Sequence, residues 1–108
     1  MTGKELEQLK YLTKEIEMDK RRLLELTQEE RRTDIPAIIE DKLRRCEAER
    51  ERLEQYIAGI DDTFTRQIFI NRYAAGLSWD EVARLAGPGN NSGNVRMWAL
   101  RYMAKNSG

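Results

Sequence analysis

Residues 76–105 read GLSWDEVARLAGPGNNSGNVRMWALRYMAK, and this stretch decides the fold. Gly76 can take a positive φ and stop a preceding helix. Ser78 restarts the chain, with Glu81 three residues on. The Ser78 hydroxyl can accept from the Glu81 amide while the Glu81 carboxylate accepts from the Ser78 amide, a capping box. Trp79, Val82, Ala83 and Ala86 then share one side of a short helix. Gly87-Pro88-Gly89 ends it, because proline disfavours helix in the residue before it. Asn91 or Ser92 can cap a second helix. The spacing gives that helix an inward face of Val95, Trp98, Ala99 and Tyr102. Its other face carries Ser92, Asn94, Arg96, Met97, Arg101 and Lys105.

Helix, glycine-rich turn and helix in this order fit a helix-turn-helix whose second helix enters the major groove of double-stranded DNA. Charge points the same way. The chain is neutral overall, with 19 basic and 19 acidic residues, yet no acidic residue follows Glu81. Residues 1–58 hold 13 basic and 15 acidic groups, whereas residues 59–108 hold 6 and 4. Such a bias suits DNA binding by one face rather than a polycationic coat. Asn91, Ser92 and Asn94 at the helix start are placed to touch bases or phosphate, where amides also present partial positive charge. Asn94 and Arg96 are the candidates for base edges, since asparagine pairs with adenine and arginine with guanine. Met97 is positioned for a thymine methyl. Arg84, Arg101 and Lys105 are expected on the backbone.

Upstream, residues 4–32 favour helix continuously, and the next proline after Gly3 is Pro36. Asp34 and Pro36 are expected to open a second helix over residues 37–58 that stops at Gly59. Leu9, Leu12, Ile16, Leu23 and Leu26 form a heptad seam in the first helix. Ile39, Leu43, Cys46, Leu53, Ile57 and Ile60 form one in the second. Folding the two back at Asp34 sets Leu26 against Leu43, Leu23 against Cys46, Ile16 against Leu53 and Leu9 against Ile60. Asp19 then faces Arg50, so the two polar interruptions coincide as a register-fixing ion pair. Cys46 is a small hydrophobe on this reading. Gly59 separates that arm from Asp61-Asp62-Thr63, which cap a helix running to Ala75 with Phe64, Ile68, Phe69 and Tyr73 as its apolar stripe. The expected fold is therefore all-α: an antiparallel coiled-coil hairpin over residues 1–59, then a trihelical helix-turn-helix domain over residues 60–108.

Composition excludes several classes. Charged residues make up 35% of the 108, and no apolar run approaches the roughly 20 residues that span a bilayer. The single cysteine cannot form an internal disulfide, which fits a reducing bacterial cytoplasm. The absence of histidine argues against a zinc site, a Cys-His pair or an enzyme, and no cofactor is implied. The Gly87–Asn91 turn lacks the Gly-Lys-Ser/Thr and the preceding strand of a phosphate loop.

Two blocks carry a resemblance. IFINRYAAGLSWDEVARLAG at residues 68–87 and NSGNVRMWALRYMAK at 91–105 resemble region four of bacterial sigma factors. More closely, the Ser-Trp-x-Glu-Val-Ala run, the Gly-Asn-Asn turn and the pair Arg101-Tyr102 resemble phage-encoded transcription regulators of the ArpU/RinA type. That resemblance implies a sigma-like DNA-binding domain serving phage gene transcription, and it spans residues 60–105. The turn here is longer and more glycine-rich than the sigma-factor turn. Two further readings belong to the same pattern. A small terminase-like DNA-packaging subunit would form rings, whereas an adaptor would dock its arm on RNA polymerase. A homodimer fits the regulator.

Overall fold

The computed structural model describes residues 1–106, and these are all helical or in connecting turns, with no strand among them. In chain order the helices are α1 (Gly3–Glu7), α2 (Leu9–Leu24), α3 (Ile35–Ala58), α4 (Thr63–Phe69), α5 (Trp79–Ala86) and α6 (Ser92–Asn106). A 3-10 turn, Glu30–Arg32, lies between α2 and α3, and a π turn, Ile70–Ala74, extends α4. α2 and α3 form an antiparallel arm, and the remaining helices form a body at its base. The molecule measures 59 × 30 × 18 Å. The radius of gyration is 17.6 Å, against about 13 Å for a compact chain of this length.

The arm departs from the sequence expectation in length and register. α2 stops at Leu24, not Arg32, because Thr27 and Glu30 form a capping box of their own. The Glu30 amide donates to Thr27 Oγ1 at 3.1 Å and the Thr27 amide to Glu30 Oε1 at 3.1 Å. Arg31 reaches back to the last carbonyls of α2, Leu23 O at 3.2 Å and Leu24 O at 3.3 Å. Thr33, rather than Asp34, supplies the side-chain cap of α3, accepting from the Ile35 amide at 3.1 Å. The centre of the turn therefore falls near Glu29 and Glu30. Moving it there slides the helices by about one heptad, a shift that leaves seam facing seam. The expected Asp19–Arg50 pair is not what forms. Asp19 pairs with Lys42 at 3.5 Å, and Arg50 pairs with Glu54 along its own helix at 3.3 Å. Cys46 faces Glu15, with Sγ 3.7 Å from Oε2. Partial burial, with Glu15 beside it, pushes its thiol up.

The core is continuous across Gly59. Leu6, Leu9, Leu53 and Ile57 pack in one cluster with Ile60, Ile68, Phe69, Tyr73, Val82, Val95, Ala99 and Met103. α1 thus belongs to the body rather than to the arm. Thr2 caps α1 by accepting from the Glu5 amide at 3.1 Å, and a kink at Gln8 turns the chain into α2. Arg72 fastens α1 to the body from outside. Its guanidinium donates to Glu7 Oε1 at 2.9 and 3.1 Å and to Leu77 O at 3.0 Å, and it lies 4.7 Å from the centre of the Trp79 ring. Tyr73 beside it is buried, which pushes its phenol up to about 12. α4 does not run to Ala75 as a uniform α-helix. The Ala75 amide bonds Ile70 O, five residues back, at 2.8 Å, and Gly76 then turns out at φ +74°.

Candidate nucleic-acid interface

The helix-turn-helix unit is built from caps. Ser78 and Glu81 form the expected box: the Glu81 amide donates to Ser78 Oγ at 3.2 Å, and the Ser78 amide to Glu81 Oε1 at 3.5 Å. α5 ends at Gly87, whose φ of +104° and ψ of 178° suit only glycine. Gly89 follows at φ +86°. Asn90, which the sequence reading passed over, holds the end of α5 by donating to Ala86 O at 3.3 Å and Gly87 O at 3.2 Å. Asn91 and Asn94 then cap α6 reciprocally. Asn91 Oδ1 accepts from the Asn94 amide at 2.9 Å, and Asn94 Oδ1 accepts from the Asn91 amide at 3.1 Å. Asn94 Nδ2 also donates to Gly89 O at 3.3 Å. Asn-x-x-Asn is thus a capping box with amides in place of hydroxyl and carboxylate. A Cβ on Gly93 would come within 3.2 Å of Asn91 Oδ1, so a bare residue suits that position.

α5 and α6 cross through Val82, Ala83, Val95 and Ala99, all nearly fully buried. The small alanines allow close approach. One inward assignment needs correction. Trp98 is 47% exposed, and Met103 takes the core place instead. The indole needs a partner for its N–H and finds one in buried Thr65, donating to its Oγ1 at 2.8 Å. Thr65 in turn donates to Asp62 Oδ2 at 2.6 Å, and its amide donates to the same oxygen at 2.9 Å. Those bonds hold the Asp62 carboxyl below its ordinary range. Phe64 meets the Trp98 ring edge-on at 5.4 Å.

The nominated residues fall into three groups. Asn91 and Asn94 are exposed but spend their amides on the cap, and Ser92 is half-buried at the helix start. Arg96, Met97, Arg101 and Lys105 are exposed along α6. At one turn per 3.6 residues, Arg96 and Arg101 stand about 140° apart, on opposite edges, with Leu100 and Met97 between them. Arg84 is exposed on α5. Arg101 and Lys105 also line a cleft of about 480 Å³ with Asp61, Asp62, Trp98 and Tyr102. Two carboxylates therefore temper that edge, while Arg96 on the other edge is not part of the cleft. Leu100, which the sequence reading left unplaced, is 44% exposed.

Beyond the body, the arm exposes Tyr11, Met18, Leu24 and Ile38. No helix among the described residues is long and apolar enough to cross a membrane. Compared with family models, with curated proteins and with solved structures, the chain matches none.

Proposed function

We propose that this chain is a sequence-specific DNA-binding transcription regulator that lays α6 in the major groove. The observation that carries the reading is the exposed α6 itself: anchored behind by Val95, Ala99 and Met103, it is edged by arginine on both sides. A helix in a groove about 12 Å wide meets a phosphate rail on either flank, so cations on both edges are what such docking uses. Arg84 adds an exposed cation on α5. The resemblance to phage-encoded ArpU/RinA-type regulators supports the same role.

Binding of a random duplex pool, followed by sequencing of the bound fraction at two salt concentrations, tests this. Enrichment of one motif supports it, and retention of unenriched DNA that vanishes with salt points to counterion release alone. Arg96→Ala should weaken the selected site by about 1–3 kcal/mol and relax one position if Arg96 reads a base. Uniform weakening over all sequences makes it a phosphate contact.

A second reading rests on the projecting arm. Its exposed Tyr11, Met18, Leu24 and Ile38 suit a protein partner, as an RNA-polymerase adaptor or a packaging subunit would require. Mass in solution separates these. A ring of many copies favours packaging, and a monomer or homodimer favours the regulator or adaptor. Capture of polymerase without DNA favours the adaptor.

A further inference from the structure

We infer that α6 recognises its DNA through thymine methyl groups, with Met97 and Leu100 as the reading residues. This rests on the DNA-binding reading above and specifies its target. Between the Arg96 and Arg101 edges the exposed surface of α6 carries Gly93, Met97 and Leu100, at i, i+4 and i+7. Met97 is 46% and Leu100 44% exposed, so both present nearly half of their surface to solvent. No side-chain donor or acceptor lies on that line.

The polar candidates nearest to it are committed elsewhere. Asn94 accepts from the Asn91 amide and donates to Gly89 O, so bidentate pairing with adenine would open the cap of α6. Asn91 Oδ1 is held by the Asn94 backbone amide. The major groove presents acceptors, donors and the thymine 5-methyl. An apolar stripe discriminates only the last of these. Met97 and Leu100 are three residues apart, about 4.5 Å along the axis, against about 3.4 Å per base step. They therefore meet thymines one or two steps apart. Arg96 and Arg101 on the flanks set the depth of the helix between the strands.

The test uses the full chain and the site selected above, synthesised with thymine or with deoxyuridine, which pairs identically but lacks the methyl. Each methyl removed at a contacted step should weaken binding about fourfold. Met97→Ala and Leu100→Ala, both at exposed positions, should bind the thymine site more weakly and lose the preference for thymine over uracil. Lys105→Ala should weaken both duplexes equally. Equal affinity for the thymine and uracil duplexes overturns this inference and leaves DNA binding intact. Failure to bind any duplex at low salt removes both.

Discussion

Replacing Leu6 with alanine measures whether the first helix is part of the body. Leu6 has no exposed surface and sits in the same cluster as Phe69, Tyr73 and Met103, residues more than sixty positions away. Removing a fully buried leucine side chain costs its transfer free energy plus a cavity, about 2.7–5.0 kcal/mol. We take about 3 kcal/mol, because a short helix at the edge of a core can partly collapse into the space. A chain of 108 residues unfolds with an entropy of about 0.2 kcal/mol per kelvin, so the melting temperature should fall by roughly 13 °C. Thermal unfolding followed by far-ultraviolet circular dichroism reads this directly. The matched control is Leu24→Ala at the arm tip, 81% exposed, which should change stability by less than about 0.5 kcal/mol. A drop under about 3 °C for Leu6→Ala would mean that α1 does not hold the body together, and the assignment of α1 to that core would be refuted.

In the arm, Asp19 is 13% exposed and its Oδ2 is buried without a hydrogen-bond partner, so Asp19→Leu should stabilise by about 1 kcal/mol in denaturant titration. A double-mutant cycle between Asp19 and Arg50 should give no coupling, while Asp19 with Lys42 should give about 0.2–1 kcal/mol; the reverse order would restore the register read from the sequence. Gly87→Ala should cost about 1–3 kcal/mol purely through the backbone, since a Cβ there meets nothing within 4 Å; an unchanged melting temperature would contradict that account. Glu30 and Asp62 are held below their ordinary range, Glu30 chiefly by the Thr27 amide and Asp62 chiefly by the Thr65 hydroxyl. Their contribution is complete above the unfolded value near about 4 and disappears as pH falls through the lower folded values, so melts should show stability declining with acid below that point and flat above it.

How legible these features were in the sequence depends on what competes locally. The Ser78–Glu81 box and the Gly87 and Gly89 turn were readable because glycine and proline interrupt the helix pattern around them. Thr27–Glu30 uses the same Ser/Thr-x-x-Glu spacing but lies inside a run of strong helix formers, where propensity masks a cap. The seam residues of the arm were readable from their period, yet a repeat cannot distinguish registers one heptad apart. The turn centre makes that choice, and Thr27 sets it. For Trp98, period placed the ring inward, but the structure leaves it half exposed with its N–H reaching in to buried Thr65. The participation of α1 had no local signal, because it depends on contacts across almost the whole chain.

That last feature governs how the molecule can be assembled. A Cβ on Gly3 would lie 3.5 Å from Met103 Cε, so α1 and α6 close against each other. On the ribosome, the arm can zip up from its tip as soon as α3 emerges. α1, made before the arm, must nonetheless wait for α6 before its packing is complete. A chain lacking Met103 would keep Leu6 in its cluster with Leu53, Ile57 and Phe69 but would leave Gly3 without the side chain nearest to it, a loosened turn for proteases to meet.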